Sequence, residues 1–315
     1  RNNEQSRNAA AASTTRAAAA TTAGSAEILD LISAMNNVAQ GKATASSVQN
    51  ILLTARDGGT DFMLGASGQQ GSWGNCYALS SMFSMAKNIT TTALDKIKSL
   101  FTVTSSGDIQ VTFAKNINGN PFTAAQVRAG LNKQVIKAAD LKYLSDNNLS
   151  AKSSESFADV ITLAYGKMML DLKANKKVAS TAAQAANAAD GNLNRGSVLT
   201  SDVFMTTLGL AKAGFTNITT SVTDTALLNS IKNTIANKGA VTATTLATGS
   251  QLVASHVYSI VGVDANNNII VHNPWGYDGL TGNIAADSNI NDGNLTLTLA
   301  QFRANFAYTS SLPSS

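Results

Sequence analysis

The run Gln70-Gly71-Ser72-Trp73-Gly74-Asn75-Cys76-Tyr77-Ala78-Leu79 carries the only cysteine among 315 residues, set between a glycine-rich turn and an apolar segment. Leu79, Met82, Phe83 and Ala86 continue at helical spacing, which predicts a helix opening at Cys76. A thiol at a helix N-terminus has its pKa lowered and its nucleophilicity raised, so Cys76 reads as a candidate catalytic nucleophile. Its competing role is a small buried hydrophobe, the commonest fate of a lone cysteine.

Upstream, residues 1–24 are Ala, Thr, Ser and Asn with scattered Arg and offer little to bury. From there Ile28, Leu31, Ile32 and Met35 form one apolar helical face, and Val48, Ile51, Leu52 and Ala55 form a second. Gly41 separates the two and Gly58-Gly59 ends the pair. Residues 1–59 thus read as a flexible arm and helical extension. The helices extend the main domain, cover a cleft as an inhibitory segment, or dock another chain.

Downstream, Phe101 to Thr104 and Ile109 to Phe113 predict two short strands joined through Gly107. Phe157, Val160, Ile161, Ala164 and Met168 predict a helix capped at Ser154, while the small polar stretch Ala182 to Asn194 reads as a surface loop. Leu227, Leu228, Ile231 and Ile235 mark a helix closing at Lys238-Gly239. The pattern then turns β-like in Ala240 to Leu246, His256 to Val263, Ile269 to His272, Leu295 to Leu299 and Ala307-Tyr308.

Charged residues make up 13% of the chain, about half the usual share of roughly 25%. A net charge of +4 with no basic stripe argues against nucleic acid. No apolar run approaches a membrane span and none has the charged start and apolar core of a signal peptide. A weakly charged polar surface suits a secreted or cell-surface bacterial protein, with a cytoplasmic one as the alternative. One cysteine cannot form an internal disulfide.

The two histidines are His256, which opens His256-Val257-Tyr258-Ser259-Ile260, and His272, which precedes Asn273-Pro274-Trp275-Gly276. Thiol chemistry needs an imidazole to hold the proton and a third polar group to orient that ring, roles that Cys76, His256 and Asn273 can fill in this order. Taken singly, each has an ordinary structural role: strand-end histidine, turn-forming asparagine, core tryptophan. His272 points to the opposite face from Asn273 by strand alternation, so His256 is the preferred imidazole.

Together these motifs resemble the calpain family of papain-like cysteine proteases. Gln70 to Tyr77 is similar to the family's Gln-Gly-x-Leu-Gly-Asp-Cys-Trp pattern, His256 to Ile260 to His-Ala-Tyr-Ser-Val, and Asn273 to Gly276 to Asn-Pro-Trp-Gly. Ala164-Tyr165-Gly166-Lys167 gives a weaker match, and the resemblance spans roughly Thr60 to Tyr308. It implies an α+β papain-like fold over residues 60–315. A helical subdomain (about 60–215) and an antiparallel β subdomain (about 216–315) would flank a cleft.

The same resemblance implies a hydrolase of peptide bonds acting through a thioester acyl-enzyme on a protein or peptide substrate. Cys76 would attack, His256 would transfer the proton and Asn273 would orient the ring. Gln70 would join the Cys76 N–H in an oxyanion hole, and Trp275 would shield the His-Asn pair. Asn75 and Tyr77 depart from the family's Asp and Trp. No required cofactor is expected. Leu64 to Gln70 lacks the acid of the animal family's calcium site, while Asp278, Asp287 and Asp292 offer oxygen ligands that could hold calcium, and a solvated acidic loop explains them equally well. The alternatives to an active protease are a catalytically silent peptide- or protein-binding module of a surface or secreted assembly, and a transamidase or self-processing enzyme.

Overall fold

The computed structural model describes residues 27–54, 70–151, 156–193, 199–218, 222–279, 284, 289 and 292–313. The fold is α+β. Helices α1 (27–39), α2 (Ala45–Leu53), α3 (Cys76–Asn88) and α4 (Thr91–Lys98) lead into strands β1 (Phe101–Val103) and β2 (Ile109–Thr112). Then come α5 (Ala124–Arg128), β3 (Lys133–Ile136), α6 (Ala138–Asp146), α7 (Phe157–Ala174), α8 (Ala182–Ala188) and α9 (Ser201–Thr207). The C-terminal part runs β4 (Gly214–Asn217), α10 (Asp224–Ala236), β5 (Ala240–Thr245), β6 (Val257–Val263), β7 (Ile269–His272), β8 (Asn294–Leu297), α11 (Leu299–Asn305) and β9 (Phe306–Leu312).

The strands form a small antiparallel sheet β1-β2-β3 and a six-stranded antiparallel sheet in the order β4-β9-β5-β6-β7-β8. One apolar cluster gathers the helices around Trp73, Tyr77, Phe157, Tyr165 and Phe204; a second lies on the sheet around Tyr258, Phe302 and Phe306. No helix among the described residues is long and apolar enough to cross a membrane.

Threonines set many of the helix starts. Thr90 and Thr223 accept hydrogen bonds from the third helical N–H of α4 and α10, satisfying a donor that the helix itself leaves orphaned. Thr123, Thr181 and Thr298 do the same, and Gln126, Gln184 and Gln301 return a bond to the cap residue. This reciprocal box explains a difference from expectation: Ala182 to Asn194 is not a plain surface loop, because the Thr181-Gln184 box starts α8 there. Ala182, Ala185 and Ala186 are buried, since their small size lets α8 lie close against α7. Likewise β8 stops at Leu297, where the Thr298-Gln301 box turns the chain into α11.

The two N-terminal helices join the main apolar cluster. Ile28, Leu31, Met35 and Val38 of α1, with Val48 and Leu52 of α2, are buried in it, each contributing about 1.5–3 kcal/mol relative to exposure at most. A Cβ on Gly107, in the β1–β2 turn, would overlap the Met35 carbonyl oxygen, so α1 presses on that hairpin. Positions 55–69, including Ala55 and Gly58-Gly59, lie outside the described residues, as do Ser154 and residues 1–24. The N-cap position of α7 is Ser156, with no side-chain capping bond.

Carboxyls cluster where α1 meets α7. Glu27 Oε1 accepts from the Ser156 N–H at 2.6 Å, and Asp159 Oδ1 accepts from the Ala151 N–H at 2.8 Å. Burial pushes the Asp159 carboxyl up to about 8, the Ala151 N–H opposing and the neighbouring Glu27 adding to the rise. The folded chain therefore keeps a proton that the unfolded chain gives up near pH 4, and stability falls as pH rises from about 4 to about 8. Asp159→Asn keeps the acceptor and removes this loss. It is expected to gain about 2 kcal/mol or more on the parent between pH 5 and pH 9 in denaturant unfolding. Equal differences at both pH values would contradict the assignment.

Candidate active site

Cys76 is the first residue of α3, as its sequence context predicts. The preceding loop is tied down on several sides. Ser72 Oγ donates to Asn148 O at 2.6 Å, the Trp73 indole N–H donates to Ala186 O at 3.0 Å, and the Gly191 N–H donates to Gly74 O at 2.8 Å. At the second residue of the helix, the Tyr77 hydroxyl donates to Ala189 O at 3.0 Å. Trp73 and Tyr77 thus clamp the loop before Cys76 onto the C-terminal end of α8.

On its other side α3 meets the sheet through serines. Ser80 Oγ donates to Val257 O at 2.7 Å, Ser259 Oγ donates back to Ser80 O at 2.8 Å, and the Val241 N–H donates to Ser84 Oγ at 2.8 Å. This register sets the Cys76 thiol beside the Val257 N–H, one residue from His256. The expected lowering of the thiol pKa at the helix start does not occur. Cys76 is half-buried, and the loss of water around its sulfur pushes the thiol up to about 11, outweighing the backbone N–H groups of Val257, Tyr77 and Cys76, with the Asp190 charge adding to the rise.

His256 leads into β6 and Asn273 follows β7, and pairing of these strands brings the two together: His256 Nε2 lies 2.9 Å from Asn273 Oδ1. The amide is fixed independently of the ring. Oδ1 also accepts from the Trp275 N–H at 3.1 Å and Nδ2 donates to Asp278 O at 3.3 Å, so the oxygen must face the imidazole. Nε2 therefore carries the hydrogen in the neutral ring, leaving Nδ1 as the nitrogen able to take a proton. Gly279, at φ +63°, holds the approach open, since a Cβ there would stand 2.7 Å from Asn273 Nδ2.

Aromatic rings enclose the imidazole. Trp275 packs at 4.8 Å between centroids and Tyr258 meets it edge-on at 5.2 Å. Burial accordingly lowers the His256 pKa to about 4, although the Asn273 bond favours the charged form. Gln70 belongs to the same place: its N–H donates to Pro274 O at 2.7 Å. Its side-chain Nε2 donates to Trp73 O at 2.6 Å, whereas Oε1 and both amide atoms of Asn75 are buried with no hydrogen-bond partner among the described residues.

His272 stands apart. Its ring stacks on Phe83 of α3 at 3.9 Å, its Nδ1 lies 3.1 Å from Asn294 Oδ1, and burial lowers its pKa to about 4. Of the acidic candidates, Asp278 is buried next to Asn273, while Asp292 Oδ1 accepts from the Asn294 N–H at 2.8 Å; Asp287 lies outside the described residues. Among the described residues no three His, Cys, Asp or Glu side chains gather as a metal site. The chain matches no model of a known protein family and no curated protein.

Two groups that act on the thiol carry no mark in the sequence motifs. The Val257 N–H is a backbone group that only the α3–β6 register brings to the thiol, and Asp190 approaches through a turn more than a hundred residues away. The turn-forming run Asp190-Gly191-Asn192 is its one sequence signal.

Proposed function

We propose that this chain is a calpain-like cysteine endopeptidase of papain-like fold, with Cys76 as nucleophile, His256 as proton carrier and Asn273 as the group that orients it. The observation that carries the reading is the pinned Asn273 amide: it fixes the His256 tautomer so that Nδ1 is the basic nitrogen, one residue from the Val257 N–H beside the thiol. Attack of Sγ on a peptide carbonyl forms the C–S bond as the thiol proton passes to Nδ1. The imidazolium then gives that proton to the leaving amine, and water hydrolyses the thioester. The Cys76 N–H and the Gln70 amide would receive the oxyanion once Gln70 exchanges Trp73 O for substrate. Trp275 would keep water from the His-Asn pair.

A catalytically silent peptide binder is the second reading, favoured by one observation: thiol and imidazole are both held neutral, at about 11 and about 4. The deciding experiment treats the full chain with a peptidyl acyloxymethyl ketone and locates the adduct by mass. Modification of Cys76 at least about a hundredfold faster than a free thiol peptide, absent in Cys76→Ala, is expected for the protease. Labelling no faster than an ordinary thiol selects the binder.

A further inference from the structure

One carboxylate near Cys76 is used by no step above. Asp190 follows α8, is half-buried and reaches the loop that carries the nucleophile: a Cβ on Gly74 would overlap Asp190 Oδ1 and stand 2.7 Å from Asn192 Nδ2. The glycine two residues before Cys76 leaves room for these side chains, which a Cβ there would push aside. The Gly191 N–H to Gly74 O bond holds the two segments together, so the carboxylate has a fixed place against the loop that carries the thiol, and its charge bears on Cys76.

The turn explains half of the side chain. Oδ1 accepts from the Asn192 N–H at 2.7 Å and from the Leu193 N–H at 3.3 Å, as turn-forming aspartates do. An asparagine would make the same bonds without a negative charge that opposes ionisation of the thiol. Oδ2 has no hydrogen bond and the carboxylate no ion pair among the described residues. Next to it Leu193 is 65% exposed, an apolar side chain along which an alkyl stem can lie.

We infer that Asp190 determines substrate specificity, its carboxylate selecting a lysine or arginine at the residue whose carbonyl Cys76 attacks. The inference rests on the protease reading and adds its substrate class: polypeptides cleaved after a basic residue. A cation bound there pairs with Asp190 and offsets the charge that opposes thiol ionisation, so a basic substrate would both bind and ease its own attack.

The test compares three acyloxymethyl ketones on the full chain, with arginine, norleucine or glutamate beside the reactive carbon. In each, Sγ forms the C–S bond, the carboxylate leaves with its electron pair and the thiol proton goes to His256. The parent is expected to react about tenfold faster with the arginyl than with the norleucyl probe, as one charge-assisted contact provides. Asp190→Asn, which preserves the turn, is expected to bring that ratio near one, and Asp190→Lys to shift preference to the glutamyl probe. Thermal unfolding of both variants checks that they fold. Cys76- and His256-dependent labelling with no arginyl preference, or a preference that survives Asp190→Asn, overturns the inference and leaves the protease reading standing. No Cys76-specific labelling by any probe overturns both.

Discussion

Acylation of Cys76 is expected to slow on the order of 10,000-fold when His256 is replaced by alanine. The size follows from the resting protonation. With the thiol pushed up to about 11, only about one thiol in ten thousand is ionised at neutral pH, so attack depends on a base that takes the proton as the C–S bond forms. The imidazole, lowered to about 4, is free of its own proton at Nδ1 over the whole range between those values. The parent's kcat/KM should therefore stay level from about pH 4 to about pH 11 and fall below pH 4 as the ring charges. In His256→Ala the rate should instead climb tenfold per pH unit up to the thiol's pKa, tracking free thiolate. Parent and variant sharing that climb would show that the imidazole never acts on Cys76.

The second large effect concerns stability. Gly166→Ala in the middle of α7 is expected to destabilise the chain by about 2–3 kcal/mol, against the gain of about 1 kcal/mol that the same change brings in an exposed helix. A methyl group at Gly166 would overlap the Ala185 carbonyl oxygen, stand 2.8 Å from Ala185 C and press on Ala189 Cβ at 3.2 Å. The helix interior cannot move the offending atom, because it is α8 backbone. Because α8 holds Trp73 and Tyr77 through Ala186 O and Ala189 O, the variant should also lose Cys76 reactivity as α8 shifts. A denaturant midpoint equal to or above the parent's would show that the two helices can part at no cost.

The legibility of the sequence varied with the range of the interactions concerned. The helix at Cys76, the strand pair around Gly107 and the strand runs before His272 follow from periodicity that short windows contain, and they lie where it puts them. The loop expected at Ala182 to Asn194 failed because alanine carries little hydrophobic signal, although a carbonyl against Gly166 makes its smallness the deciding property. The raised thiol pKa was hidden for a related reason. A helix start is local and visible, whereas burial depends on what α3 packs against, from β6 to the Asp190 turn. His256 and Asn273 were identifiable from their motifs, but the tautomer needed the Asp278 carbonyl and the Trp275 N–H, neither of which a motif contains.

The paired serine bonds between α3 and β6 restrict how this molecule can move. Ser80 and Ser259 exchange hydroxyl donors across the junction, and Ser84 receives a third bond from β5, all of it buried. Hinging the helices away from the sheet would strip several hydrogen bonds in a dry interface at once, at about 1–3 kcal/mol for each group left unsatisfied. Breathing of the two halves would thus be a closed route for admitting the proposed polypeptide substrate. The remaining freedom belongs to the short span before Cys76, where exchanging the Gln70–Trp73 bond for a substrate oxygen costs one contact and moves only side chains. Turnover in such a molecule would be gated by a rotamer change rather than by a domain motion, so its rate should respond to substitutions at Gln70, whose side chain makes the exchanged bond, far more than to solvent viscosity.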